Sequence, residues 1–236
     1  MNGFFVTATD TGAGKTLVAS GIIRALRKTG RRVAGMKPIA SGCEQTRDGL
    51  LSEDAALLVA ASELAAPMDL VNPYRFLRPI APHIAAAQAG VRLDLKRIEA
   101  AYRELGRVAD CVVVEGVGGL GVPLNEQEDV ADLVRLLGLP VILVVGMRLG
   151  CLNHALLTAE ALARRELPFC GWVANHVDPA MDVPDENVQT LESRFGVPLL
   201  GRVPFLPVTD SDAVAHCLNL AAILNILNPV GDEQQT

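Results

Sequence analysis

Short runs of β-branched residues alternate along the chain with stretches whose apolar positions recur at helical spacing, and this alternation sets the expected order of elements. Phe4-Phe5-Val6-Thr7 reads as a strand, and Lys15 to Lys28 as a helix halted by Gly30. Arg32 to Met36 reads as a second strand ending at Lys37-Pro38. Asp54 to Leu64 has the helical period, with Ser52 suited to be its N-cap. The proline-rich stretch from Val71 to Pro82 predicts a loop, after which Pro82 to Gln88 and Leu95 to Val108 return to helix.

Cys111 to Val114 and Val141 to Val145 are apolar at every position, as strands buried on both faces of a parallel sheet must be. Asn153 to Arg165 predicts a helix, Gly171 to Ala174 and Pro198 to Gly201 predict strands, and Ser211 to Leu227 predicts one last helix. The expectation is a single α/β domain over residues 1–228, with a central mostly parallel sheet and helices on both faces. Residues 229–236 form a polar C-terminal tail with the composition of a disordered segment.

Composition narrows the class. Half of the 236 residues are hydrophobic, 20% are charged and 4% aromatic, which suits an aliphatic core and argues against disorder. The net charge of −6 favours neither nucleic acid nor an anionic membrane. No apolar stretch approaches the ~20 residues of a membrane span, and Lys15, the first lysine, comes too late for a signal peptide. The five cysteines are odd in number and lack C-x-x-C spacing, so reduced thiols and a cytoplasmic location are expected.

Candidate chemistry starts with TATDTGAGKT at residues 7–16, directly after the first strand. The pattern G-x-x-x-x-G-K-[ST] would place a glycine where this chain has Thr9. Gly12 and Gly14 still supply two flexible positions, so a longer variant of the phosphate loop is expected, in a P-loop NTPase-like domain. In that reading backbone N–H groups face phosphate, Lys15 neutralises its oxygens and Thr16 ligates Mg2+. A strand-to-helix turn with a surface lysine would show the same letters. Glu115, closing the run VVVE, and Asp54 are the candidate carboxylates for the metal. Taken alone, Glu115 could instead serve a strand-end ion pair and Asp54 a helix dipole.

Several segments together resemble the ATP-dependent dethiobiotin synthetases: TDTGAGKT, KPIASG, NPYRF, APHIAA, VVVEGVGGLGVPL, GCLNHALLTAEAL and GWVANHV. The resemblance runs in order from about Phe4 to Leu206. It implies a homodimer that carboxylates 7,8-diaminopelargonic acid with CO2 and closes the ureido ring at the expense of MgATP. The implied catalytic residues are Lys37, Lys15 and Thr11, with Ser41 also hydrogen-bonding the reacting group. Thr16, Asp54 and Glu115 are the implied Mg2+ ligands. The implied nucleotide contacts are Gly12, Ala13, Gly14, Lys15, Thr16, Leu17, Asp54, Glu115, Gly116, Val117, Gly118, Asn175, His176, Pro204, Phe205 and Leu206. Gly150, Cys151 and Asn153 are implied to take the substrate carboxylate in the partner subunit's site.

Two positions depart from the family's pattern: Ala8 stands where glycine is usual, and Gly12 where some members carry an acid. Neither removes a residue the mechanism requires. The competing class is the partitioning and cell-division ATPases, binding switches whose loop carries an earlier signature lysine; no lysine precedes Lys15 here. Amide synthases of cobyrinate type would need a glutaminase domain, and a silent binding paralogue would be expected to lack Lys37 or Glu115. Nucleic acid and membrane are not expected as partners.

Overall fold

The computed structural model describes residues 2–228, so the tail expected at 229–236 lies outside the described residues. In chain order the first elements are β1 (Gly3–Ala8), α1 (Lys15–Arg27), β2 (Val33–Met36), β3 (Ile39–Ser41), β4 (Glu44–Thr46) and β5 (Gly49–Leu51). There follow α2 (Glu53–Ser62), α3 (Met68–Val71), β6 (Tyr74–Phe76), α4 (Pro82–Gln88), α5 (Leu95–Val108) and β7 (Cys111–Glu115). The remainder is α6 (Val130–Leu137), β8 (Val141–Met147), α7 (Cys151–Arg164), β9 (Phe169–His176), α8 (Pro184–Phe195), β10 (Leu199–Val203), α9 (Ser211–Cys217) and α10 (Leu220–Leu227).

Six strands form one parallel sheet in the order β10-β9-β8-β1-β7-β2. Alternation along β1 sorts its side chains to two faces. Phe4, Val6 and Ala8 join a core with α1, α9 and α10, while Phe5 joins a second core beneath α5 and α6. A third cluster packs Leu143, Val145 and Trp172 under α7 and α8. The chain crosses from β1 over β7 to β2, then returns past β1 to β8. That reversal beside β1 opens a crevice at the carboxyl ends of the strands, where ligands bind in open α/β sheets.

The stretch from Val71 to Pro82 is not the plain loop that its prolines predict. Tyr74–Phe76 pairs in parallel with Ile39–Ser41 as a separate two-stranded sheet, and the prolines lie outside the paired residues. A β4–β5 hairpin follows β3, and helices α6 and α8 fill connections left unassigned above. The last helix is broken in two, because the Asn219 side chain accepts the Ala222 N–H and starts α10 afresh. Ser52 caps α2 as expected, accepting the Ala55 N–H at 3.3 Å.

Candidate active site

The loop between β1 and α1 is rooted on β8: Thr9 N–H donates to Val144 O at 3.1 Å, and Thr9 Oγ accepts the Gly146 N–H at 3.4 Å. Gly12 and Gly14 take left-handed φ angles of 77° and 85°. A Cβ on Gly14 would stand 2.0 Å from Asn175 Nδ2, so both conformation and space demand glycine there. Gly14 is the N-cap of α1 and offers no side-chain cap, and the first turn holds no acid. The leading N–H groups of α1 are therefore open to an anion. Ala8 and Ala13 are fully buried behind the loop. Ala13 serves through its carbonyl, which accepts from Asn175 Nδ2 at 2.8 Å.

Beneath the loop, charges converge from three strand or helix ends. Lys37 follows β2, Glu115 ends β7, and Asp54 lies in the first turn of α2. Lys37 Nζ is 2.5 Å from Glu115 Oε1 and 2.7 Å from Asp54 Oδ2, and 3.3 Å from Gly116 O. Thr16 Oγ is 2.8 Å from Asp54 Oδ1 and 2.9 Å from Glu115 Oε1, with one hydroxyl proton to donate between them. Burial works against the charge on Lys37, but Glu115 and Asp54 outweigh it and hold the ammonium above the ordinary lysine range. Burial pushes the Glu115 carboxyl up, with Lys37 opposing. Lys15 is driven down by burial first and by the nearby Lys37 charge second. Among the described residues its Nζ has a single long contact, 3.5 Å, to Asp10 O.

These groups line a cleft of about 680 Å³ with Thr11, Gly12, Gly14, Ser41, Val117 and Gly118. Among the described residues Ser41 Oγ is buried there without a hydrogen-bond partner, leaving its hydroxyl proton free to donate. A second recess of about 350 Å³ shares Gly14, Thr16 and Asp54 with the cleft and continues past Leu17, Asn175, His176, Phe205 and Leu206. Ala13, Gly116 and Pro204 lie outside both linings. The walls also include residues not singled out by sequence: Pro79, Ile80, Ala81, Pro82 and Val122 in the cleft, and Glu53, Leu57, Val177 and Thr209 in the recess. The signal for the first group was Pro82 at the start of α4, which turns the preceding segment over the cleft.

Gly150, Cys151 and Asn153 line neither space. Gly150 is the left-handed N-cap of α7, again without a side-chain cap; the Cys151 N–H is held by the Arg148 carbonyl at 3.0 Å, which leaves the Leu152 and Asn153 N–H groups open among the described residues. Beside it Leu149 is 97% exposed and Leu157, further along α7, 55% exposed.

The donor set fits Mg2+. Among the described residues Glu115 Oε2 is buried with no hydrogen-bond partner, and Thr16 Oγ lies within hydrogen-bond distance of both Glu115 Oε1 and Asp54 Oδ1. Few hard oxygens in one place suit an ion that keeps several waters. Among the described residues no group of three or more His, Cys, Asp or Glu could hold a metal, which sets this site apart from a nitrogen–sulfur cage.

A family model described as an AAA domain matches residues 2–213. The ATP-dependent dethiobiotin synthetase BioD of Aromatoleum aromaticum is 53% identical over 92% of this chain and 96% of its own length. That of Nitrosospira multiformis is 50% identical over 94% of this chain and 96% of its own. Among solved structures, the MinD cell division protein of Aquifex aeolicus superposes with a TM-score of 0.55 at 14% identity, covering 100% of this chain and 99% of that one. A ParA family ATPase from Chlorobium tepidum gives 0.54 at 16% identity, over 94% and 92%. At such identities these two share the fold alone.

Proposed function

Because the chain belongs to the ATP-dependent dethiobiotin synthetases, within the AAA-domain group, we propose how its own residues divide the work of that reaction. The enzyme is a carbon–nitrogen ligase of biotin biosynthesis. It carboxylates 7,8-diaminopelargonic acid with CO2 and closes the ureido ring, giving dethiobiotin, ADP and phosphate. One amine takes up CO2 as a carbamate, and a carbamate oxygen attacks the γ-phosphorus with loss of ADP. The second amine then attacks the carbonyl of the carbamic-phosphoric anhydride and expels phosphate.

Each stage gathers anionic oxygens, so oriented cations and N–H groups matter more than a strong base. The N–H groups of Gly12 to Thr16 cradle the phosphates, and Lys15, held by a long contact to Asp10 O, turns to the transferring phosphoryl. Lys37, held protonated by its two carboxylates, faces carbamate and phosphoryl oxygens together. Thr11 and Ser41 orient the reacting group by hydrogen bonds. Thr16, Asp54 and Glu115 hold Mg2+, which when bound neutralises charge on the phosphate oxygens. The base occupies the recess of Leu17, Asn175, His176, Phe205 and Leu206. Asn175 keeps one amide hydrogen on Ala13 and has its oxygen left for the base edge.

In this reading the diamine carboxylate is taken by the start of α7 from a second copy of the chain. Two features support that homodimer: the start of α7, with the open N–H groups of Leu152 and Asn153, does not line its own cleft, and exposed Leu149 and Leu157 flank it. The compartment implied is the cytoplasm, consistent with five free cysteines and with no described helix long and apolar enough to cross a membrane.

The observation that carries the assignment of roles is the convergence of Lys15, Thr16, Lys37, Asp54 and Glu115 on one cleft. Incubation with diaminopelargonate, bicarbonate and MgATP, followed by mass detection, tests it. Dethiobiotin formed with one phosphate per ring is expected; absence of both product and diamine-dependent phosphate release would overturn it.

A further inference from the structure

The phosphate loop carries an anion of its own. Asp10 Oδ1 accepts the Thr11 N–H at 2.7 Å, shaping the turn that presents Thr11 to the cleft, and Asp10 O is the long contact of Lys15 Nζ. A fixed carboxylate so close to a cradle for polyphosphate opposes loading. In water one unit of like charge at short range costs about fivefold in affinity, and more where the surroundings are less polar. The chain answers that charge from another element. Arg148 Nη2 lies 2.7 Å from Asp10 Oδ2. Arg148 follows directly on β8, and its carbonyl accepts the Cys151 N–H at 3.0 Å, so the start of α7 fixes the root of the side chain.

We propose that Arg148 is a positioning residue for the nucleotide: by neutralising Asp10 it lets that carboxylate hold the Thr11 N–H without repelling the phosphates. Both side chains are partly exposed, 37% for Arg148 and 49% for Asp10, so the effect is screened by salt. The proposal rests on the loop being the nucleotide site described above. It adds two residues that touch no reacting atom.

Titration calorimetry with the Mg2+ complex of a non-hydrolysable ATP analogue tests it on the full chain. Arg148→Met should weaken binding by about fivefold to tenfold at low ionic strength, and Arg148→Lys should stay near wild type. Asp10→Asn keeps an oxygen for the Thr11 N–H but drops the charge. It should bind as tightly as wild type or tighter, and should restore most of the affinity when added to Arg148→Met. Raising the salt should narrow the gap between Arg148→Met and wild type. A merely structural pair would instead weaken Asp10→Asn and leave the double variant no better, at any salt.

Wild-type binding with an unaffected Arg148→Met, or weaker binding by Asp10→Asn, overturns the proposal alone. Should Arg148→Met fail to fold, Asp10→Asn still decides it. A wild-type chain that binds no analogue overturns the nucleotide loop itself and this proposal with it.

Discussion

Lys37 Nζ stands 2.5 Å from Glu115 Oε1 because the sheet puts their strand ends side by side. Met36 of β2 is in register with Val114 of β7, and Lys37 and Glu115 are the next residues along. The pair is almost wholly buried, at 5% and 1% side-chain exposure, and is completed by Asp54. Two ions taken out of water are held by each other, so losing one strands the other.

Glu115→Ala should therefore lower stability by about 3 kcal/mol, since it leaves the Lys37 ammonium buried with only the half-exposed Asp54. The same change, and Asp54→Ala less severely, should move the Mg2+ dependence of turnover to higher concentration. Urea unfolding reads the first effect and a Mg2+ titration the second. Superimposable titrations would remove both carboxylates from the metal shell.

Lys15→Gln should lower turnover by about 10²–10³. Its melting temperature should hardly change, because among the described residues the ammonium has no ion pair and a single long contact in the loop. Parallel melting curves and turnover assays check this, and near-normal turnover in a folded variant would count against the role.

Among the described residues Tyr102 OH is buried without a hydrogen-bond partner, and burial pushes its pKa from 10.0 up to about 12. Burial likewise pushes the Cys111 thiol from 9.0 up to about 12. Both groups bind their proton more tightly folded than unfolded. Their contribution is thus complete below pH 9 and is lost as pH rises toward about 12. Tyr102→Phe should flatten part of that alkaline loss. At neutral pH it should leave stability unchanged or raise it by up to about 1 kcal/mol, since it removes an unsatisfied buried hydroxyl. Unfolding curves at about pH 8 and about pH 10.5 compare the two.

The fold's frame is legible in sequence because buried parallel strands carry apolar runs: β1, β7, β8 and β9 announce themselves. The three-residue strands β3 to β6 do not, since so few residues show no period and their pairing is a tertiary matter. Helices α6 and α8 did carry local signals, Asp129 before and Gly138 after the one, Pro184 and Gly196 around the other. Of the site, the phosphate loop and the resemblance named Lys15, Thr16, Lys37, Asp54 and Glu115. The spacing of 78 residues between Lys37 and Glu115 hides their contact until β2 and β7 pair. Arg148 is hidden likewise, as its partner Asp10 lies 138 residues away.

In the proposed function one reaction is assembled from two chains, Lys37 of one copy and Asn153 of the other. Lys37→Gln should slow the chemical step by about 10²–10³, and Asn153→Ala should weaken diamine binding while sparing ATP affinity. The direct measurement is turnover, at diamine low enough to silence Asn153→Ala, after the two variant homodimers exchange subunits. Hybrids contain one shared site with neither change, so activity should rise toward half that of wild type per dimer formed. Hybrids that form, as native mass spectrometry can verify, yet stay as inactive as their parents would contradict the shared site and require each chain to bind the carboxylate itself.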